Sequence, residues 1–283
     1  MATTDSNCAR PSRPSTTIGA GSGSLTFRRA GGKTVIAESF AASPLRFLTP
    51  RNHGNAAWVF LANLGGGLVD GDRIDIRVRA EVDADALIST QSATKVYRSP
   101  AGCSQRLEVR AAAGATIAIV PDPVICFGGA RYEQNIDVSL AASASLVLFD
   151  AYTSGRAARG ERWLFERFES RTTIAREGRS EIVEATRLDL GVGPIARRMG
   201  RFDAIAWLVA IGPRFQDVRD AMLAPLPFPS PGDRAVVAAS PVGVDGAVAR
   251  VAADSFEHAS RALRPSFAAL ARALGDDPFA RKW

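Results

Sequence analysis

The side chains most capable of chemistry in this chain lie between residues 63 and 99. The stretch begins Asn63-Leu64, continues Gly65-Gly66-Gly67-Leu68-Val69-Asp70-Gly71-Asp72, and ends in a polar run holding Ser89, Thr90, Ser92, Thr94, Lys95, Tyr97 and Arg98. Glycines in series let the backbone take φ > 0 and let a second segment or a ligand come close, where a Cβ would block it. Gly65, Gly66, Gly67 and Gly71 are therefore read as a structural turn. Hydroxyls stand where a core strand would carry Val or Ile, so the run either caps turns at a surface or lines a wet interior. Asp70-Gly71-Asp72 with Asp75 begins like a calcium loop, but the third carboxylate is misplaced and no Glu closes twelve residues, which leaves a solvated turn.

Other site chemistries find little support. His53 and His258 are the two histidines, Cys8, Cys103 and Cys126 the three cysteines, and none forms a close ligand pair. No stable zinc or nickel cage is expected from them. A Ser-His-Asp hydrolase would need one of those histidines as base, and no Gly-x-Ser-x-Gly elbow accompanies it. Loss of turnover on replacing either histidine by alanine would support that alternative. The glycines lack the Gly-Lys-Ser/Thr ending of a phosphate loop. A second polar segment, Ser154 to Arg162, carries Arg156, Arg159, Glu161 and Arg162. It is either an exposed loop of surface ion pairs or a set of guanidinium forks for a carboxylate-rich protein surface.

Strands must position these groups. Ile74, Ile76 and Val78 alternate with Asp75, Arg77 and Arg79, the period of a strand with one buried face. Similar segments follow at 105–110, 115–120, 134–140 and 145–149, separated by short Gly, Pro and Ser turns. Small-residue turns at 84–86, 113–115 and 143–145 recur at about 30 residues, as in stacked β units. Two long strands are expected around Glu177-Gly178-Arg179, with blurred alternation. A helix is expected over Pro213–Ala224, a hairpin around Val244-Asp245-Gly246, and two helical pieces after Asp254, the second begun by Pro265. The fold class is mainly β, stacked strands in a solenoid or in layered sheets, with a few C-terminal α-helices. Residues 1–24 read as a disordered arm and residues 25–283 as one domain.

The 283 residues are 46% hydrophobic and carry a formal charge of +6. An acidic partner suits that charge better than nucleic acid, because the arginines are interleaved with Glu and Asp and no nucleic-acid module appears. No apolar run is long enough to span a membrane, and no secretory signal opens the chain. Three widely spaced cysteines suit a reducing cytoplasm.

The string Gly66-Gly67-Leu68-Val69-x-Gly71-Asp72, followed by Ser92-Ala93-Thr94-Lys95-Val96-Tyr97-Arg98-Ser99, resembles the urease accessory protein family UreD, also called UreH. Pro121 to Ile125, Phe127-x-Gly129-Ala130-Arg131, Ser154-Gly155-Arg156-x-x-x-Gly160-Glu161, Ser240-Pro241, Asp245-Gly246, Arg250-Val251 and the closing Arg281-Lys282-Trp283 continue the resemblance. One departure is Asn63-Leu64, which stands where the family commonly has His-Thr and removes a possible nickel ligand. The resemblance implies a non-catalytic, mostly β scaffold that binds the urease apoenzyme on one side and UreF on another, with the GTPase UreG recruited through UreF. It implies help in nickel delivery and lysine carbamylation, through an internal water-filled passage. On that basis Asp70, Asp72, Ser89, Thr90, Ser92, Thr94, Lys95, Tyr97 and Asp150 are the expected polar route for transient Ni²⁺, with no tightly bound cofactor. Arg156, Arg159, Glu161 and Arg162 are expected to dock partners, and the C-terminal helices with the Pro-rich loop before them to face UreF. A β-stack binding module unrelated to metal is the remaining alternative.

Overall fold

A computed structural model describes residues 21–226 and 228–280. The arm expected over residues 1–24 lies mostly outside the described residues; Ser22 already begins the first strand. The strands are β1 (Ser22–Ala30), β2 (Lys33–Ala41), β3 (Leu45–Leu48), β4 (Ala57–Asn63), β5 (Arg73–Ala80), β6 (Asp85–Thr90), β7 (Thr94–Val96), β8 (Cys103–Ala111) and β9 (Thr116–Ile119). They continue as β10 (Val124–Cys126), β11 (Arg131–Leu140), β12 (Ser145–Thr153), β13 (Arg167–Arg176), β14 (Arg179–Asp189), β15 (Ala204–Ile211), β16 (Ala235–Val242) and β17 (Gly246–Ala253). The α-helices are α1 (Ile195–Met199), α2 (Gln216–Leu223), α3 (Phe256–Ala262) and α4 (Arg264–Leu274).

The chain winds between two sheets. Strands β1, β5, β8, β11 and β13 lie parallel in the first, ordered β14-β13-β11-β8-β5-β1-β2. Strands β4, β6, β9 and β12 lie parallel in the second, ordered β16-β17-β15-β12-β9-β6-β4-β3. Each passage from one sheet to the other and back is a coil turn, so the solenoid and layered readings describe one object. The register fixes the repeat, with Asp85 opposite Thr116 and Thr116 opposite Ser145. The small residues that stack at this corner are Ala84, Ala115 and Ala144, all fully buried, one from each of the turn triplets read from the sequence. Each closes a tight turn by donating its N–H to the carbonyl three residues back, at 3.0 to 3.1 Å.

Three layers result. One core lies between the sheets and contains Phe27, Ile76, Val109, Val138 and Phe168. The other lies between the second sheet and helices α2, α3 and α4, and contains Leu87, Phe149, Leu208, Phe267 and Leu270. With both faces covered, β12 and β15 are apolar almost throughout, as buried strands are. Helix α3 starts at Ser255, whose hydroxyl accepts from the His258 N–H, and α4 carries Pro265 in its first turn. The hairpin β13–β14 turns at Glu177 and Gly178, both at positive φ.

Candidate functional site

The glycine turn, the polar run and the arginine loop occupy successive coil turns at one corner. The Leu68 N–H donates to Lys95 O at 2.8 Å, the Tyr97 N–H to Leu68 O at 2.9 Å, and the Phe127 N–H to Val96 O at 2.9 Å. Gly67 is required by this stacking, since a Cβ there would lie 2.6 Å from Lys95 O and 2.7 Å from the Tyr97 ring. Tyr97 meets Phe127 edge-on with centroids 5.1 Å apart, and the Arg156 guanidinium sits 4.2 Å above the Phe127 ring. Arg156 is held by both oxygens of Glu161, and Glu161 Oε2 also accepts the Gly128 N–H at 3.1 Å. The hydrogen bond from Arg156, followed by that from Gly128, pulls the Glu161 carboxyl below its usual range. Gly67, Tyr97, Phe127 and Arg156 thus form one continuous pillar.

Several residues expected along a polar route make hydrogen bonds or ring contacts at or near this corner. Asp70 Oδ1 accepts the Ala101 N–H at 2.8 Å, and Asp72 Oδ2 accepts the Val69 N–H at 2.8 Å. Both are turn caps on the outer side. Tyr97 belongs to the pillar, and Ser89 donates to Val120 O at 2.6 Å within the wall. In the arginine loop, Arg162 pairs with Asp203 and reaches the carbonyls of Gly200 and Phe202. Arg156 and Arg162 are therefore staples, and among the loop's arginines Arg159 alone is exposed without an ion-pair partner among the described residues. Gly65, Gly66 and Gly71 take positive φ with open space around them.

Behind the corner, polar groups are set into the otherwise apolar space between the sheets. An outer chamber of about 280 Å³ is lined by Asn63, Gly66, Gly67, Thr90, Ser92, Thr94, Lys95 and Gln105, among others. It shares Leu61, Thr90, Thr94 and Gln105 with an inner space of about 30 Å³ that reaches Asp122, Gln134 and Asp150. Register aligns the polar groups across the first sheet: Gln105 is opposite Gln134, Gln134 opposite Ser170, and Ser170 opposite Thr186. Adjacent strands are about 4.8 Å apart, so this row runs along the coil axis. On the facing sheet, Asp150, Trp207 and Arg250 share one line of register. Beyond Thr186, Glu184 on the edge strand β14 pairs with Arg250 on β17 and bridges the two sheets.

Asp150 is the centre of this interior. Its Oδ2 accepts from Gln134 Nε2 at 2.9 Å, and Trp207, Ser170 and the Ala151 N–H also donate to the carboxylate. Burial pushes its carboxyl up to about 6, against the pull of those donors. Tyr132 OH donates to Gln134 Oε1 at 3.2 Å, which fixes the amide so that its nitrogen faces Asp150. Thr90 Oγ1 donates to Asp122 Oδ2 at 3.2 Å and accepts the Asp122 N–H at 2.8 Å. Asn63 Oδ1, Thr153 Oγ1 and Thr172 Oγ1 are buried without a partner, and of the three residues Asn63 lines the outer chamber.

Sequence reasoning named Ser89, Thr90, Ser92, Thr94, Lys95 and Asp150 here and missed Gln105, Asp122, Gln134, Ser170, Thr186, Glu184 and Trp207. The available signal was parity. Gln105 shares the inward parity of Leu107 and Val109, and Gln134 that of Ile136 and Val138. The two histidines lie elsewhere. Asp254 Oδ1 and Ser255 Oγ both contact His258 Nδ1, at 2.5 and 2.7 Å, so the ring cannot relay a proton from one to the other. His53 is exposed in a surface loop. Among the described residues, no group of three or more His, Cys, Asp or Glu side chains is placed to hold a metal ion. None of their helices is long and apolar enough to cross a membrane.

Comparison with known proteins places residues 19–283 within the model of the UreD urease accessory protein family. A urease accessory protein UreD of Sorangium cellulosum is 54% identical over 264 residues, covering 93% of this chain and 85% of that protein. One of Anaeromyxobacter is 40% identical, covering 95% and 92% of the two chains. The urease accessory protein D of Arabidopsis thaliana is 31% identical, covering 91% of this chain and 99% of its own.

Proposed function

Because this chain belongs to the UreD urease accessory protein family, we propose that it is a non-catalytic maturation scaffold of the cytoplasm, one domain from about residue 22 onward, that guides Ni²⁺ toward urease along the polar interior between its sheets. On this reading it binds apo-urease on one side and UreF on another, and UreG, which hydrolyses GTP, joins through UreF. The observation that carries the reading is the register-aligned row from Gln105 to Thr186 facing Asp150. Plain structural strands would place aliphatic side chains at those inward positions. Oxygen and amide groups solvate a cation without trapping it, whereas His or Cys ligands would hold it.

Chamber sizes favour staged passage. The outer chamber of about 280 Å³ has room for a cation with water around it, whereas the inner space of about 30 Å³ has room for one or two waters. The ion therefore exchanges water for protein oxygens, or the sheets part, between Thr94 and Asp150.

The test is urease activity in cells that carry the urease structural and other accessory proteins, with this chain wild type, absent, or carrying Thr94→Leu with Ser92→Leu. Activity that needs the chain and falls severalfold in the double variant, while UreF and apo-urease still co-purify, is expected. Full activation by the variant rejects the passage, and activation without the chain rejects the scaffold role. Docking has its own check. Arg159→Glu should weaken partner co-purification and lower its salt sensitivity without changing thermal stability, because Arg159 contributes no internal ion pair.

A further inference from the structure

The second sheet reaches further than the first. Glu184 on β14, the last strand of the first sheet, pairs with Arg250 on β17, so β17 stands across from β14. Two hydrogen bonds of 3.0 Å from Arg176 to Asp245 hold the same hairpin to the first sheet. Strand β16 lies beyond β17 and overhangs the edge of β14, with no strand beneath it among the described residues. Register shows which side chains face the gap. Ala238 is opposite Arg250, and Arg250 is opposite Trp207, which belongs to the core between the sheets. Val236, Ala238 and Ser240 therefore point past the edge of β14, whereas Val237 and Ala239 pack toward the helices. Ala238 and Ser240 are exposed.

Below the overhang, β14 is an open edge. It has 11 residues and no proline, and its one register shift against β13 lies at the turn end. The edges of the second sheet are blunted, β3 by having only 4 residues and β16 by Pro241. A long edge presents unpaired backbone groups that template another strand. On β14, Val183 is 51% exposed, and Arg179 is exposed with no ion-pair partner among the described residues.

We propose that the slot between β14 and β16 accepts one extended strand of a protein partner, with aliphatic residues toward β16 and an acid opposite Arg179. Added at the usual spacing of about 4.8 Å, it extends the first sheet and covers the overhang. A second copy of this chain does not fit, because pairing its β14 here would bring both overhanging hairpins into the same space. Residues 1–20 hold one branched aliphatic side chain, Ile18, and lead to β1 near the opposite edge of the sheet. The slot stands on sheet geometry and not on the passage reading.

The charges of β14 supply a probe. In an antiparallel register centred on Glu184, a second β14 sequence sets Asp189 opposite Arg179 and Arg187 opposite Glu181. A synthetic peptide of residues 179–189 bearing Glu184→Val puts an aliphatic group under the overhang and lacks the hairpin that bars the whole protein. Titrated into the full-length chain and followed by amide hydrogen exchange, it is expected to bind saturably and to slow exchange along β14, whose alternate N–H groups face the free edge. Arg179→Glu in the chain should weaken the peptide about two- to fivefold, and a peptide with Lys in place of its terminal Asp should recover that loss. Ala238→Gln, which fills the slot from above, should weaken binding severalfold. Both positions are exposed, and unchanged thermal midpoints verify that the variants fold. The proposal is overturned if the peptide does not slow exchange in β14, if Ala238→Gln has no effect, or if the charge swap fails to restore binding. Failure of the scaffold reading looks different, since urease then activates without the chain while peptide binding persists.

Discussion

Asp150→Asn is expected to stabilise the protein at pH 8 by about 2 kcal/mol while reducing urease activation to a small fraction of wild type. The sign follows from where the carboxyl titrates. An exposed Asp releases its proton near pH 3.9, and Asp150 in the folded chain holds it to about 6. Between these values the folded state keeps a proton that the unfolded state has lost, so stability falls as pH rises, by about 1.4 kcal/mol per unit. The penalty is absent below about pH 4 and complete above about pH 6, where it reaches roughly 3 kcal/mol. Asparagine carries no charge to desolvate. Some of the gain is returned because its amide must face the donors Gln134, Ser170 and Trp207. Urea unfolding at pH 4 and pH 8 checks the argument, since an equal gain at both would show that charge is not the cause. A thermal midpoint raised by roughly 4 to 8 °C at pH 8 is the companion expectation. Stability exchanged for function in this direction is what a buried acid kept for work predicts.

Gly67→Ala should be the more damaging of two adjacent glycine substitutions, although its neighbour has the less ordinary backbone. Gly66 takes φ of 75° but a Cβ there meets no atom within 4 Å, so Gly66→Ala costs the left-handed penalty of about 1 to 2 kcal/mol. At Gly67 the new carbon strikes the Lys95 carbonyl and the Tyr97 ring. Neither can yield without disturbing the Leu68–Val96 bridge or the pillar above it. A loss of about 2 to 3 kcal/mol is expected, with greater loss for Gly67→Val. Denaturation midpoints of the three variants decide the order. Equal losses at Gly66 and Gly67 would mean that the coil turns are not in contact at this corner.

The fold was legible wherever one face of a strand meets water. In β5 every second residue is buried, and β11 nearly repeats that pattern, so both stood out by period alone. Strand β15 did not, because Ala206 and Leu208 face the helices while Trp207 and Val209 face the other sheet, which removes the alternation. The site was half legible for a related reason. Hydroxyls crowded into 89–97 advertise themselves, whereas Gln105 and Gln134 are single amides in strands that otherwise look ordinary. The blurred pattern of β13 and β14 was itself the signal, since Ser170, Thr172, Glu184 and Thr186 occupy inward positions that an apolar core would have filled. Composition alone does not show that Asp70 and Asp72 accept backbone N–H groups in turns, because an acid that caps a turn and one that faces a cavity look the same in sequence.

Strand order also sets a timetable for biosynthesis. Asp150 lies on β12, but its donor Trp207 arrives with β15, and Arg250 arrives later still with β17. Until those segments pair, β12 is the outermost strand on that side of the sheet and Asp150 lacks Trp207 as a donor; pairing of β15 closes the wall. A nascent chain halted before residue 204 therefore presents an open, unpaired strand edge to chaperones and proteases, and only the finished polypeptide encloses its acid.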